Sequence, residues 1–179
     1  MDLATLQQQL QQTDLAPVES WDPPFCGDLP LHIDADANWF YQGSKIQRPA
    51  LVQLFASVLL QQHGEYFLQT PVEKIRITVA DAPFLVTDWC WLETATGPAL
   101  QLTTNVQQQV LVSPEYPLRL RADPQQQCLP YLQLWRGLRA KLSRNVYYQL
   151  AAQAVPVSCN KKQHYQLKSA GYPFSFAIV

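Results

Sequence analysis

Pro83 divides this chain into two stretches with different patterns of apolar residues. A proline has no N–H to give a central strand ladder and pushes the residue before it out of helix, so the run Asp81-Ala82-Pro83 reads as a boundary. Upstream, Leu31-His32-Ile33-Asp34 and Trp39-Phe40-Tyr41-Gln42 alternate on either side of Ala35-Asp36-Ala37-Asn38, which predicts a hairpin. Pro49 suits the first turn of a helix, and Leu51, Leu54, Phe55, Val58 and Leu59 form one apolar stripe behind it. His63-Gly64 is the expected stop, with strands at 66–70 and 74–79 following, so the order is β-β-α-β-β.

Downstream the pattern shifts to short strand-like runs at 84–92, 99–104, 110–112, 118–121 and 131–135. Gly97-Pro98, Ser113-Pro114 and Asp123-Pro124 punctuate them, as in a meandering antiparallel sheet. Gly137 is expected to release the chain into a second helix with Leu138, Leu142, Val146 and Leu150 on one face, and 174–179 reads as a last strand. At the other end, Leu3, Leu6 and Leu10 have helical spacing, broken by Trp21-Asp22-Pro23-Pro24-Phe25. The fold class is therefore α+β, with two sheet-plus-helix units in tandem. The expected division is 1–19 for an N-terminal helix and linker, 20–82 for the first unit, and 83–179 for a mostly-β second unit with a helix.

Charge follows the same polarity. Residues 1–114 carry 12 of the 14 acidic side chains against 4 basic ones, whereas 115–179 carry 9 Lys and Arg against Glu115 and Asp123 alone. The net charge of -1 conceals this split. A basic surface on a small domain usually meets an anion: phosphate, nucleic acid, an acidic lipid or the acidic half of its own chain. The overall pI near 6.3 argues against nucleic acid. The opening MDLATLQQQL lacks a positive segment and an apolar core, and no stretch approaches 18 apolar residues. Cys26, Cys90, Cys128 and Cys159 never pair as CxxC and are expected to be reduced and buried in a cytoplasmic protein without membrane insertion.

No catalytic signature is present: there is no GxSxG, no P-loop and no GxGxxG, and only 6 glycines to build a phosphate loop. Asp34-Ala35-Asp36-Ala37-Asn38 copies the start of a calcium loop, but Trp39 stands where a glycine is required and Lys45 where a bidentate glutamate belongs. A polar hairpin turn explains it better. His32, His63 and His164 share no metal-ligand spacing, so neither metal nor cofactor is expected. Among polar candidates, Glu73 and Lys74 begin a strand and face opposite ways, and Asp81 is either a turn former or a polar group at the mouth of a groove. Arg136, Arg139, Lys141 and Arg144 surround the expected second helix, with Arg139, Ser143 and Tyr147 on one face and Arg136 at its start. Trp39, Tyr41, Trp89, Trp91 and Trp135 sit mostly at alternating strand positions and read as core rather than as stacking platforms.

Several segments taken together carry a resemblance: residues 39–55 (WFYQGSKIQRPALVQLF), Thr70-Pro71-Val72-Glu73-Lys74, Asp81-Ala82-Pro83-Phe84, Thr104-Asn105-Val106 and residues 136–144 (RGLRAKLSR). Over roughly residues 20–155 the chain resembles a bacterial family called domain of unknown function 1285. The tail departs from it, with Lys168-Ser169-Ala170-Gly171-Tyr172 where Ser-Gly-Gly is expected. The resemblance implies two related α+β units, the second loosely like a pleckstrin homology barrel. It also implies a nucleotide-like ligand where the units meet, a signalling role, and no assigned reaction. The shared polar positions it carries to this chain are Arg48, Glu73, Lys74, Asp81, Asn105, Arg136 and Arg144.

The function expected from these readings is a non-catalytic module binding a small anionic, nucleotide-like ligand between its units. Arg136, Arg144 and Arg48 would hold the charge, Asn105, Glu73 or Asp81 would orient the polar edge, and Lys74 is a further ligand-binding position. The alternatives are an adaptor that binds a protein partner through a pleckstrin-like unit, and an enzyme using Glu73 or Asp81 as base on a phosphorylated substrate.

Overall fold

The computed structural model describes residues 17–159 and 162–178, so the expected helix over Leu3, Leu6 and Leu10 lies outside the described residues. The chain forms two compact units divided between Ala80 and Asp81. Both mix helix with predominant sheet, which makes the fold α+β.

The first unit runs β1 (Phe25–Ile33), β2 (Trp39–Tyr41), β3 (Ser44–Lys45), α1 (Pro49–Ser57), β4 (Leu59–Gln62), β5 (Glu65–Gln69) and β6 (Lys74–Val79). Its sheet has the order β3-β2-β1-β6-β5-β4, in which β1 and β6 are parallel and the other pairs antiparallel. Leu31, Ile33, Trp39, Phe55, Leu59, Leu68 and Ile75 are buried in its core. The β1–β2 turn is closed by Asp34, whose Oδ1 accepts the N–H groups of Asp36 at 2.9 Å and Asn38 at 2.8 Å. Burial pushes the Asp34 carboxyl upward, but the bonds from Asn38 and Asp36 outweigh it and hold the group below its ordinary value.

The second unit runs β7 (Phe84–Thr94), β8 (Gly97–Thr104), β9 (Gln109–Leu111), β10 (Leu118–Ala122), β11 (Cys128–Gln133), β12 (Arg139–Leu142), α2 (Arg144–Ala151), β13 (Val155–Cys159), β14 (Lys162–Ser169) and β15 (Tyr172–Ile178). One sheet has the order β10-β11-β12-β7-β8-β9, again with a single parallel pair, β12 with β7. The other is β13-β14-β15.

The two larger sheets share one plan. Each consists of two three-stranded meanders, and in each the first and last strands in sequence pair parallel at the centre. The register of the last hairpin also repeats. Phe67 faces Arg76, Leu68 faces Ile75 and Gln69 faces Lys74 in the first unit. Tyr131 faces Lys141, Leu132 faces Ala140 and Gln133 faces Arg139 in the second.

Five expectations are corrected. The first helix ends at Ser57, and Leu59 and Leu60 instead pair with β5 and are buried as strand residues. His63-Gly64 is therefore a hairpin turn: both residues take positive φ, 51° and 87°, the conformation that matches strand twist in a tight hairpin. The second helix does not start at Gly137. Arg139-Ala140-Lys141-Leu142 alternates between half-buried and buried with period two and forms β12, and the helix begins only at Arg144, where Ser143 Oγ accepts the Val146 N–H at 3.4 Å. Arg136 thus precedes a strand, in a 3-10 turn where it and Gly137 adopt φ of 55° and 72°. The tail forms three strands rather than one, and the second unit is neither a single sheet nor purely antiparallel. Finally, Cys26, Cys90 and Cys128 are free but exposed, not buried.

Candidate functional site

Cross-strand register places the basic residues of the second unit. Arg119 of β10 faces Tyr131 of β11, which faces Lys141 of β12. Arg121 faces Leu129, and Gln133 faces Arg139. Directly opposed residues share a face, and residues two apart along a strand do likewise. Arg119, Arg121, Arg139 and Lys141 therefore lie on one side of three adjacent strands. Leu118, Leu132, Ala140 and Leu142 point the other way and are buried.

Beneath these cations sits Asp81, 5% exposed. The Tyr131 hydroxyl donates to both of its carboxylate oxygens, at 2.9 and 3.0 Å. Lys141 Nζ lies 3.1 Å from Oδ2. Arg139 Nη2 donates to the Asp81 backbone carbonyl at 3.1 Å, with its guanidinium carbon 5.7 Å from the centre of the Tyr131 ring. Burial, reinforced by the bond to Asp81 and by that group's charge, drives the Tyr131 hydroxyl far above the ordinary tyrosine range. It therefore remains a donor. The Asp81 carboxylate thus orders one cation and one aromatic ring and its carbonyl a second cation, while Arg119 and Arg121 are exposed and meet no carboxylate among the described residues. Arg121 has only a long bond to Gln133 Oε1, at 3.4 Å.

The same hairpin in the first unit is electrically balanced. Arg76 holds Asp28 through two bonds, Nε at 2.7 Å and Nη2 at 3.0 Å, and reaches Glu65 at 2.7 Å. The Arg76 hydrogen bond keeps the Asp28 carboxyl below its ordinary value. Lys74 Nζ lies 4.5 Å from the centre of the Phe67 ring and donates to Gln62. The positions that face Phe67 and Glu65 on β4 are Leu60 and Gln62, where β10 has Arg119 and Arg121.

Lys141 and Leu129 also line a cleft of about 660 Å³ within the second unit, with Arg144, Gln127, Tyr147 and Tyr148 around it. Arg144 and Tyr148 are four residues apart on α2 and so share a helix face. Tyr147 stacks on Phe176 with centroids 5.1 Å apart, and Tyr148 packs edge-on against Tyr147 while remaining 65% exposed. The cleft thus offers cations and an aromatic face held by packing. It also contains Asp123, whose carboxylate accepts the Gln127 N–H at 2.8 Å and closes the β10–β11 turn.

The residues singled out from the sequence fall at separate places. Arg48 is exposed and stands at the N-terminal boundary of α1, where its backbone carbonyl, not its side chain, accepts the first helical N–H groups. Glu73 closes the loop before β6, its N–H bonded to Thr70 Oγ1 at 3.1 Å, and its Oε2 is buried with no hydrogen-bond partner among the described residues. Lys74 lies over Phe67. Asn105 latches the β8–β9 loop to β7, accepting the Leu85 N–H at 3.1 Å and donating its own to the Leu85 carbonyl at 2.7 Å. Arg136 is half-buried in its turn. Of these residues only Asp81 and Arg144 belong to the basic face and its cleft, linked through Lys141. Arg119 and Arg121 join the site without having stood among the sequence candidates, as does Tyr131, which only cross-strand register brings beside them. The signal for the arginines was the period-two pattern of Leu118-Arg119-Leu120-Arg121, which puts both on one face of a strand.

A two-unit α+β chain with this repeated strand order has solved counterparts. The family description "Domain of unknown function (DUF1285), N-terminal domain" matches residues 16–82, and "Protein of unknown function (DUF1285), C-terminal domain" matches residues 83–176. The chain belongs to the DUF1285 family. It is 34% identical to a DUF1285 family protein from Silicibacter pomeroyi DSS-3 whose crystal structure superposes with a TM-score of 0.89, over 99% of this chain and 96% of that one. A DUF1285 family protein from Shewanella baltica OS155 is 33% identical, with a TM-score of 0.58 over 70% of this chain and 92% of that one. No curated protein matches. No helix among the described residues is long and apolar enough to cross a membrane.

Proposed function

We propose that this protein is a non-catalytic module that binds a small phosphorylated, nucleotide-like ligand on the basic face and cleft of its second unit. The observation that carries the reading is the alignment of Arg119, Arg121, Arg139 and Lys141 across three strands with one carboxylate, Asp81, engaged beneath them. A guanidinium fork matches the oxygen pairs of a phosphate, and each charge-assisted hydrogen bond in a sheltered site contributes about 1.5–3 kcal/mol. Arg144 extends the positive field into the cleft, and the exposed ring of Tyr148 offers a face on which a base stacks. Asp81 serves as the positioning group, fixing Lys141 and accepting the Tyr131 hydroxyl.

A thermal-shift panel of adenine and guanine nucleotides, inorganic tripolyphosphate and the parent nucleosides tests this. Stabilisation should rise with phosphate number and be greater for nucleotides than for tripolyphosphate, and Arg144→Ala combined with Arg119→Ala should abolish it. No shift with any phosphorylated compound, or a shift that survives the double substitution, would overturn the reading.

A further inference from the structure

A second cleft in the same unit, of about 770 Å³, shares no lining residue with the first. Trp91, Pro98, Val155, Val157 and Leu167 give it apolar walls, while Glu93 and Lys168 bring one carboxylate and one ammonium to it. We infer that this cleft is a binding site for a small amphiphile with an apolar body and a zwitterionic head.

Its walls are built to hold something. The Trp91 indole N–H donates to Gln153 Oε1 at 2.9 Å, so the turn that follows α2 fixes the plane of the ring. Trp89, packed edge-on at 6.4 Å, is pinned in the same way by Gln149 at 2.8 Å. The β14–β15 turn is anchored to β8: Ser169 Oγ accepts the Leu100 N–H at 2.8 Å and donates to the Val112 carbonyl at 2.6 Å, and the Ala170 N–H reaches the Pro98 carbonyl at 2.8 Å. Against these fixed sides stands β13, an edge strand in the three-stranded sheet, where Val155 is 61% and Val157 38% exposed. Two β-branched apolar side chains two residues apart share a face of that strand. Their exposure is a cost that an apolar occupant removes.

The size and lining select the class of occupant. A cleft of this volume, mostly apolar with a few polar groups, is the common form of a small-molecule pocket, whereas protein interfaces are broader and flatter. Pro156 is the second residue of β13 and gives no N–H, which weakens that strand as a template for an incoming peptide strand. Glu93 and Lys168 are both exposed, and neither has a partner among the described residues. A head carrying a single charge satisfies one of them and repels the other, and a head carrying both charges satisfies both.

Three single-chain detergents used below their micellar concentrations test this on the full chain: dodecyl betaine, dodecanoate and dodecyltrimethylammonium. Calorimetric titration should give the tightest binding for the betaine. Val155→Asp with Val157→Ser, both at exposed positions, should weaken it at least tenfold without lowering the unfolding midpoint. Lys168→Glu should shift the preference to the ammonium detergent. The inference is overturned if no detergent binds, if the three bind equally to the wild type, or if the valine variant binds as well as the wild type. Because Arg119→Ala and Arg144→Ala leave this cleft intact, their effect on nucleotides is read separately.

Discussion

The hairpins that end the two larger sheets, β5–β6 and β11–β12, have the same register but different electrostatics. Each places a cation over an aromatic ring, Lys74 over Phe67 and Arg139 over Tyr131, and each pairs a second cation with a carboxylate, Arg76 with Asp28 and Lys141 with Asp81. In the first unit the partners of Arg76 are exposed, and the neighbouring strand contributes Leu60 and Gln62. In the second, the carboxylate is buried, the ring carries a hydroxyl that bonds to it, and the neighbouring strand contributes Arg119 and Arg121. One plan thus yields a balanced structural face and a face with surplus positive charge. The surplus, not the plan, is what suggests a ligand.

Removing the carboxylates should show the largest contrast. Asp81→Ala leaves Tyr131 and Lys141 without their buried acceptor, and breaking a buried pair of this kind costs about 3–5 kcal/mol. Urea denaturation followed by circular dichroism should record that loss for Asp81→Ala. An unchanged midpoint would show that Asp81 does not organise the face.

Next in size is ligand affinity. If a phosphate ligand is confirmed, Arg144→Ala should lower its affinity tenfold or more, as expected for the loss of about 1.5–3 kcal/mol from a charge-assisted bond. Arg76→Ala, on the balanced hairpin, should leave that affinity unchanged. Equal losses from the two substitutions would dissolve the distinction between the faces.

A smaller effect concerns alkaline pH. The folded state raises the Tyr131 pKa above the ordinary value of 10.0, so its contribution to stability is complete below pH 10 and is lost as pH rises towards the folded value. Wild-type protein should therefore lose more stability than Tyr131→Phe between pH 9 and pH 11, measured by denaturant titration at each pH. A matching slope in the phenylalanine variant would remove the hydroxyl–Asp81 bond from the account. The smallest change is expected for Asp28→Ala. Its partner Arg76 is solvent-exposed and retains Glu65, so the midpoint should stay close to that of the wild type, with little dependence on salt.

Much of the first unit was legible because its patterns are local. The alternation about residues 35–38 and the apolar stripe behind Pro49 state their periods within a few residues. The helix ended early because Leu59 and Leu60 suit a buried strand as well as a helical stripe, and only pairing with β5 decides between them. The same ambiguity displaced the second helix. Leu138, Leu142, Val146 and Leu150 are spaced by four, but Leu142 lies on a strand whose parallel partner, Val86, is more than fifty residues away in sequence. Non-local pairing of that kind leaves no mark on a hydrophobic period. The basic character of the carboxyl-terminal part was plain in composition, yet the arrangement of its arginines was not. It depends on register between β10, β11 and β12, which sequence spacing alone does not give.

The most direct test is an isothermal titration of inorganic tripolyphosphate at several salt concentrations, with wild-type protein and the Arg119→Ala/Arg144→Ala variant side by side. Wild-type protein should bind, its affinity falling steadily as salt rises, and the variant should give no measurable heat. Absence of binding by the wild type, or undiminished binding by the variant, would contradict the assignment of the basic face as the anion site.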